Sequence, residues 1–375
     1  MQDKIIEHKI ENFKGVKGDI VILRVDYNVP GVPTIDSQRF LQSLSTINFL
    51  KEKGCKIIII SHRGNIEDSL LPFIDLLKQK QINAYFCENP NVEEIKKCIS
   101  ENEIVLVENI RRNEMEEKND DSFVKEFASI ANFYVNDAFS VSHRSHASIV
   151  GLPKYLPSFF GFGILNEIDN LSIVSTNPEH PFLFISGGAK ISTKVPLLKN
   201  FLDRADNVYV AGALANSFFE AQGFETGISL ADNPELAEPF LGRENLHLPV
   251  DVIVTGPNGT KERLLNEVTE DENIVDIGHK SMEQIFELAR EAKTILWNGP
   301  LGNYENGFDK TTNDLLAFLA DVSGDVYLGG GDTLAILEKE NSLGKYRFVS
   351  TGGGATLDFL ALGTLVGIEA VIKRS

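Results

Sequence analysis

The stretch VILRVDYN, residues 21–28, is an apolar and largely β-branched run that ends in polar residues. Similar runs recur along the chain, each followed by a glycine-rich or polar turn and then by a helix-like segment such as Phe123–Ala131 or Met282–Ala292. Continuous apolar runs of this length suit strands buried on both faces, as in parallel sheets. Strands that alternate with helices predict α/β domains with doubly wound sheets. The other runs are Ile57–Ile60, Ile104–Val107, Phe133–Val135, Phe182–Ile185, Val208–Val210, Val252–Val254, Thr294–Trp297, Val326–Leu328 and Phe348–Ser350.

A chain of 375 residues is longer than a single hydrophobic core usually supports, and it suits two domains of about 150–200 residues each. The division is expected near residues 155–180, where Gly161 and Gly163 precede a helix-like stretch, Ile164–Val174, and a break at Asn177-Pro178. We therefore predict an N-terminal domain at 1–160, an interdomain helix or hinge at 161–177, and a C-terminal domain at 178–360.

Composition restricts the function classes. With 36 Lys+Arg against 54 Asp+Glu, the formal net charge of −18 disfavours partners such as nucleic acid and anionic membranes. The three cysteines show no CxxC or metal-ligand spacing, which indicates reduced thiols in a reducing compartment. The N-terminus has no signal-peptide core, and no window approaches 18 uninterrupted apolar residues, so we expect a cytoplasmic protein without a membrane span.

Basic residues gather at the predicted carboxyl ends of the first-half strands, where parallel sheets bind ligands. Guanidinium groups match carboxylate and phosphate oxygens in pairs, so this arrangement predicts a small, highly anionic substrate. A network of interdomain salt bridges is the alternative. The residues concerned are Arg39, His62, Arg63, Arg111, His143 and Arg144.

Glycine dominates the strand ends of the second half. Gly187-Gly188-Ala189-Lys190 leads into a helix, and Lys194 lies one turn further on the same face. Glycines let the backbone approach a phosphate, while helix N–H groups and lysines supply positive charge. Tight turns need glycine in any case, but several such turns in one domain predict a nucleotide site. Asp332 could hold Mg²⁺ there or simply cap a helix. The further turns are 297–300, 329–333 and 352–355.

Several familiar motifs are absent from the sequence. It contains no GxxxxGK[ST] P-loop, no GxGxxG after a first strand with an acidic residue about 20 positions on, no HRD or DFG kinase set and no HExxH. A P-loop protein, a dinucleotide-binding protein, a protein kinase and a zincin are therefore poorly supported.

The chain resembles the phosphoglycerate kinase family over essentially its whole length. The segments that carry the resemblance are RVDYNVP (24–30), SH-G (61–64), LVENIR (106–111), YVNDAFSVSHRSHAS (134–148), SGGAKISTK (186–194), LPVD (248–251), WNGPLGNYE (297–305), GGGDT (329–333) and STGGGA (350–355). This family implies two Rossmann-like doubly wound domains that face each other across a cleft and are joined by a helix hinge. It also implies a C-terminal tail, 361–375, that packs on the N-terminal domain.

The resemblance implies reversible phosphoryl transfer between 1,3-bisphosphoglycerate with ADP and 3-phosphoglycerate with ATP, by a monomer that uses Mg²⁺. It implies Arg39, Lys190 and Gly353 as catalytic groups. The implied phosphoglycerate site is Asp26, Asn28, Arg39, His62, Arg63, Arg111 and Arg144. The implied nucleotide site is Lys194, Gly212, Asn298, Glu305, Gly330, Gly331, Asp332 and Thr333, with Asp332 next to the metal.

The sequence departs from the family pattern at several positions, including residues 211–215, which read AGALA where the family has GGGMA. Asn65 stands where the family has an arginine, Arg63 where it has leucine, and Thr311 where it has a hinge-region glycine. Two other functions therefore stay open at this point. One is a related kinase that acts on a different acyl phosphate, and the other is a nucleotide-binding regulator without turnover.

Overall fold

All but one of the predicted apolar runs form strands of two parallel sheets. The computed structural model describes residues 2–331, 334, 337 and 343–373, with side chains from residue 4 onward. The chain divides into two compact units. One unit takes the residues up to Asn170 together with those from Leu362 onward, and the other takes Leu171–Ala361. The boundary between the units falls inside the helix Phe162–Thr176.

The first unit is built on a six-stranded parallel sheet whose strand order is β3-β4-β2-β1-β5-β6. The central strands are buried along nearly their whole length, as a sheet covered on both faces requires. The order reverses around β1, so the turns after β1, β2 and β5 meet at one edge of the sheet. The strands are β1 (Ile20–Val25), β2 (Lys56–Ile60), β3 (Tyr85–Cys87), β4 (Ile104–Val107), β5 (Phe133–Asp137) and β6 (Ser158–Phe160).

Helices cover this sheet, and two of them, which begin at Val92 and Asp121, have a preceding side chain that accepts hydrogen bonds from their first N–H groups. Asp120, for example, accepts hydrogen bonds from the backbone of Ser122 and Phe123 and so caps a helix that buries Phe123 and Phe127. That helix starts two residues before the predicted segment. The helices are α1 (Gln2–Glu7), α2 (Gln38–Glu52), α3 (Pro72–Gln79), α4 (Val92–Glu101), α5 (Met115–Lys118), α6 (Asp121–Ala128) and α7 (Phe162–Thr176).

The second unit contains a six-stranded parallel sheet, ordered β15-β14-β13-β7-β8-β9, and a separate three-stranded antiparallel sheet, ordered β11-β10-β12. In the parallel sheet the order reverses between β7 and β13, so the turns after these two strands are neighbours. The strands are β7 (Phe182–Ser186), β8 (Asn207–Val210), β9 (Leu246–His247), β10 (Asp251–Gly256), β11 (Gly259–Leu264), β12 (Asn273–Ile277), β13 (Thr294–Asn298), β14 (Asp325–Gly329) and β15 (Phe348–Val349).

One strand was predicted in the wrong type of sheet. The run Val252–Val254 was expected in a parallel sheet but lies in β10, at the centre of the antiparallel sheet. Its burial shows why: Val252 and Val254 are buried, whereas Ile253 is only half-buried. One face of β10 is therefore partly open to solvent. The apolar Ile253 lies on that face, so the sequence lacks the alternation of apolar and polar residues that marks a half-buried strand.

The remaining helices complete the second unit and then return the chain to the first. They are α8 (Ile191–Leu202), α9 (Ala213–Ala221), α10 (His279–Glu291), α11 (Lys310–Leu319), α12 (Gly354–Leu362) and α13 (Val366–Ile372). Among the described residues, no single helix is long and apolar enough to cross a membrane; only α12 and α13 counted together reach that length and composition.

Candidate functional site

Two residues predicted to bind the substrate, Asp26 and Asn28, lie just beyond β1 on either side of the buried Tyr27. The Tyr27 ring stacks on Phe73 with 4.3 Å between centroids, and its hydroxyl lies 3.1 Å from that of Ser43. Because neighbouring side chains of an extended segment point in opposite directions, burial of Tyr27 turns Asp26 and Asn28 away from this aromatic cluster.

Arg39 joins these two residues from the start of α2. Its Nε lies 3.3 Å from Asp26 Oδ2, and one terminal nitrogen donates to the carbonyl oxygen of Asn28 at 2.7 Å. The Asp26 carboxylate also accepts from Ser140 Oγ at 2.5 Å and from the Asn28 amide at 3.1 Å. Ser140 follows β5, so the ends of β1 and β5 and the first turn of α2 converge on one carboxylate.

His62 follows β2 and is held by an arginine that the sequence analysis did not select. Arg24, in β1, is 1% exposed, and one of its terminal nitrogens lies 3.1 Å from His62 Nδ1. The same side chain donates to Ser148 Oγ at 3.0 Å and to Ser61 Oγ at 3.2 Å. Burial, reinforced by Arg24 and the other nearby arginines, lowers the pKa of His62 well below its usual 6.5. The imidazole is therefore neutral at physiological pH.

Further cationic groups surround this histidine. Arg39, Arg111 and Arg144 all contribute to its lowered pKa, and Arg39 and Arg111 donate to the carbonyl oxygens of Asn28 and Gly64 in the adjoining loops. Burial and the neighbouring Arg144 lower the pKa of Arg111, whose Nε lies 3.1 Å from Glu117 Oε1. Guanidinium groups that repel one another in this way gain free energy when an anion binds between them.

Arg63 is differently engaged. Its guanidinium donates to the backbone oxygen of Ser69 at 2.8 Å and to that of Gly31. Asn109 fixes the same loop, because its side-chain Nδ2 donates to the carbonyl oxygens of Arg63, Asn65 and Asp68. The side chain of Asn65 is exposed at the surface of this loop.

In the second unit the glycine turns pack backbone against backbone at the reversal of strand order. Gly187 donates to the carbonyl oxygen of Asn298 at 2.9 Å, and Gly188 to that of Pro300 at 3.0 Å. A Cβ atom on Gly187 would come within 2.2 Å of Pro300 O, and one on Gly212 within 2.9 Å of Gly188. No side chain fits here without moving the backbone. The turns at Gly187-Gly188, at Gly212 and at 298–300 therefore pack closely, and their backbone atoms can approach the same ligand.

Lys194 and Asn298 meet beside these turns. The buried Lys194 ammonium donates to Asn298 Oδ1, and burial lowers the pKa of this lysine to about 8. Lys190 occupies the N-cap position of α8, immediately after the first glycine turn. Lys190 and Lys194 are thus one helical turn apart at the start of α8.

A cavity of about 700 Å³ opens next to the same turns. Its wall includes the predicted residues Gly212 and Glu305 together with apolar side chains that the sequence analysis did not select. A partly apolar cavity beside glycine turns has the shape and chemistry that a nucleotide requires: a flat base against apolar walls and phosphates against backbone N–H groups. The apolar wall is formed by Phe219, Ile228, Leu230, Val252 and Ile274.

The other predicted nucleotide residues fall partly outside the described residues. Gly330 and Gly331 follow β14, and Gly353 precedes α12. Gly330 has φ +114° and Gly353 φ +55°, conformations that favour glycine. Asp332 and Thr333 lie outside the described residues.

Sequence reasoning missed four buried polar residues at the two sites. In the first unit these are Arg24 and Glu116, whose carboxylate accepts from Ser148 Oγ at 2.5 Å. In the second they are Asn216, whose Oδ1 has no hydrogen-bond partner among the described residues, and Asp276, whose pKa burial raises to about 6. Only Arg24 had a visible signal, since a charged residue inside an apolar strand must have buried partners.

Comparisons with known proteins agree with this geometry. A family model described as phosphoglycerate kinase matches residues 10–362. The phosphoglycerate kinase of Finegoldia magna is 37% identical over 386 residues, which cover 96% of this chain and 98% of the relative. That of Coprothermobacter proteolyticus is 37% identical over 382 residues, covering 95% and 97%. The phosphoglycerate kinase structure from Coxiella burnetii aligns with a TM-score of 0.83 at 32% identity, over 98% of this chain and 99% of the other.

Proposed function

The chain belongs to the phosphoglycerate kinase family, and from that premise we propose how its residues carry out the reaction. The activity is reversible phosphoryl transfer between 1,3-bisphosphoglycerate with ADP and 3-phosphoglycerate with ATP, a step of glycolysis. The carboxyl group of 3-phosphoglycerate is the acceptor in the ATP-consuming direction.

We propose that the phosphoglycerate binds to the first unit, within residues 1–160. The proposal is supported by the convergence of Arg39, His62, Arg111 and Arg144, because four donors around one point suit a ligand with a phosphate and a carboxylate. Asp26 and Asn28 would orient its hydroxyl group and need not abstract a proton. Arg63, whose guanidinium is engaged by Ser69 O and Gly31 O, would contribute mainly by shaping the loop.

The nucleotide is proposed to bind to the second unit, within residues 178–360. The observation that carries this proposal is the 700 Å³ cavity beside the backbone-packed glycine turns. Glu305 in the cavity wall would accept from the ribose hydroxyls, while Lys194, Asn298 and the turn amides would contact the phosphates. Gly330, Gly331 and Thr333 are proposed as further phosphate contacts.

Family members use their nucleotide with a metal ion, and for this chain we propose Mg²⁺. Asp332, the residue predicted to lie next to the metal, is outside the described residues. Within the described part of the chain, one His/Asp/Glu cluster could hold a cation: Asp251, Glu262 and His279. Its carboxylates already accept backbone N–H groups at the start of α10, so it is not proposed as the Mg²⁺ site.

The proposed mechanism needs no protein nucleophile or general base. The attacking carboxylate or ADP oxygen is already ionised, so the protein must align the two ligands and neutralise the charge of the transferring phosphoryl group. Arg39, Lys190 and the backbone N–H of Gly353 are proposed for this role. Mg²⁺ would supply further positive charge to the phosphate oxygens when bound.

The chain is also proposed to work as a monomer in the cytoplasm, with no nucleic-acid or membrane partner. Its net charge of −18 supports a surface that repels polyanions.

One coupled assay tests the proposed function. With 3-phosphoglycerate, ATP and Mg²⁺ supplied to the purified chain, ADP should form, and its formation should require all three components. Other small carboxylic acids that carry a phosphate should be much poorer acceptors. Turnover with one of those acids and none with 3-phosphoglycerate would replace the proposed substrate, whereas nucleotide binding without any turnover would favour a regulator.

A further inference from the structure

We propose that Arg24 is a positioning residue that fixes His62 in the neutral tautomer with its proton on Nε2, so that His62 offers phosphoglycerate a directed N–H group. This inference rests on the proposed phosphoglycerate site. It differs from the role of the surrounding arginines, which supply charge.

The hydrogen bond between the two residues determines the tautomer. A guanidinium group can only donate, so the 3.1 Å contact from Arg24 requires a lone pair on His62 Nδ1. The single proton of a neutral imidazole must then be on Nε2. Both side chains are almost fully buried, at 1% and 2% exposed, so the ring has no room to exchange its two nitrogens.

Arg24 is itself held in this position. Its other nitrogens donate to Ser148 Oγ, Ser61 Oγ and the Val25 carbonyl oxygen at 2.8 Å. The Ser148 hydroxyl in turn donates to Glu116 at 2.5 Å, and this buried carboxylate also acts on the charge of Arg24. Five donors in a planar fork are thus used almost entirely inside the protein, which leaves Arg24 little capacity to bind a ligand directly.

The charges around His62 favour the same state. Arg24, Arg39, Arg111 and Arg144 face it, and each disfavours a second proton on the ring. The carboxylates of Glu116 and Asp26 act on the charge of Arg24 and so favour its protonated, donating form. A neutral donor among arginines adds direction to substrate binding without adding repulsion between cations.

Nitrogen-15 NMR of the ligand-free wild-type protein tests the tautomer directly. His62 should show an unprotonated Nδ1 and a protonated Nε2, and neither shift should move between about pH 5.5 and 8.5. A proton on Nδ1, or a titration near the ordinary histidine pKa, would overturn the proposal whatever the enzyme's activity.

A pair of variants tests the role of Arg24. Glu116→Gln alone keeps Arg24 and should leave the His62 spectrum as in wild type. Arg24→Met with Glu116→Gln avoids an unpaired buried carboxylate, and in it His62 should show a mixture of the two neutral tautomers. The KM for 3-phosphoglycerate should rise about tenfold, as expected for one misdirected hydrogen bond to a charged ligand, with the KM for ATP changed less than about twofold.

Two further variants, His62→Gln and His62→Asn, test the direction of the N–H group through the KM for 3-phosphoglycerate. Gln carries an N–H near the position of Nε2 and Asn near that of Nδ1, so Asn should raise the KM for 3-phosphoglycerate more than Gln. The reverse order would overturn the proposal. Failure of the proposed function would instead be seen as wild-type protein that shows the expected NMR spectrum but does not act on 3-phosphoglycerate.

Discussion

At the residue scale, the two lysines of α8 have different environments and therefore different predicted roles. Lys190 is at the N-cap position beside the glycine turns, and Lys194 is buried against Asn298. Lys190→Ala should lower kcat by about 10²–10³, the usual cost of removing one donor that stabilises a transition state. Steady-state kinetics with saturating substrates would measure this. Lys199→Ala removes an exposed lysine from the same helix and should leave kcat unchanged. A kcat within about threefold of wild type for Lys190→Ala would refute its role.

Lys194 should make nucleotide binding depend on pH. Burial lowers its pKa to about 8, so the ammonium is mostly charged at pH 7 and loses its proton as the pH rises through 8. A phosphate attracts only the charged form, and the Kd for ADP should therefore increase between about pH 7 and 9. Lys194→Met should bind ADP more weakly at pH 7 and show no such step, while Lys199→Met should behave as wild type. Isothermal titration calorimetry at constant Mg²⁺ measures both, and an unchanged step in Lys194→Met would assign the titration to another group.

The positions of Asp26 and His62 were predictable because each comes just after a buried strand, whereas Arg39 lies in the first turn of α2. The direction in which each side chain points was not predictable. Arg63 lies next to His62 in the sequence, yet its guanidinium donates to two backbone oxygens, that of Ser69 in its own loop and that of Gly31 in the loop after β1. Arg24 gave a signal of a different kind: a charged residue inside an apolar strand predicts buried partners, but only the structure shows that one of these partners is His62. Cavity walls such as Phe219 and Leu230 carry no chemistry that a sequence pattern could show.

At the scale of elements, α10 depends on one carboxylate. Asp251 accepts hydrogen bonds from the backbone of Lys280 at 3.0 Å and Ser281 at 2.8 Å, and from Ser281 Oγ at 2.5 Å. Burial alone would raise the pKa of Asp251, but these hydrogen bonds outweigh it and the pKa is lowered. The carboxylate is therefore a cap for the first turn of α10, at the end where helix N–H groups favour negative charge.

Asp251→Asn should destabilise the protein by about 1–2 kcal/mol at pH 7, because a neutral amide accepts these hydrogen bonds less strongly. Since the folded-state pKa is lowered, the wild-type advantage is complete above about pH 3.9 and declines as the pH falls through the folded-state value. Denaturant unfolding of both proteins as a function of pH would show this. Glu287→Gln, on the exposed face of α10, is the matched control. Equal stability of Asp251→Asn and the control at pH 7 would contradict the cap.

Elements were predictable where burial is complete. The run Ile104–Val107 coincides with β4, whose four residues are all buried. The strands β3, β6 and β9 were not predicted, because each has only two or three residues and lies at a sheet edge, where burial leaves a weak pattern. The longer strands β11 and β12 were not predicted either, because they lie at the edges of the antiparallel sheet and are only partly buried. The strand β10 was predicted as a strand but in the wrong sheet, since a short apolar run cannot distinguish parallel from antiparallel pairing.

At the scale of the whole molecule, the chain completes its first unit only at its end. After the second unit, α13 returns to the first unit, where Gly367 donates its N–H to the Ser142 carbonyl oxygen at 2.8 Å. A Cβ atom on Gly367 would lie 2.7 Å from Ile149 Cγ2 and 3.0 Å from Ser142 O. The first unit therefore depends on a contact that forms only when nearly the entire chain has been made.

Gly367→Val should accordingly weaken one unit and spare the other. The added side chain overpacks the contact with Ser142 and Ile149, at a cost of about 1–3 kcal/mol. Hydrogen exchange followed by mass spectrometry should show faster exchange in 139–151 and 366–372, with β7 and β13 as well protected as in wild type. Leu362→Ala, which alters a side chain that is 70% exposed, should change neither region. Equal loss of protection in both units would contradict this prediction. Strands that do not contact residue 367 would then lose protection as well, which means that the two units unfold as one cooperative body.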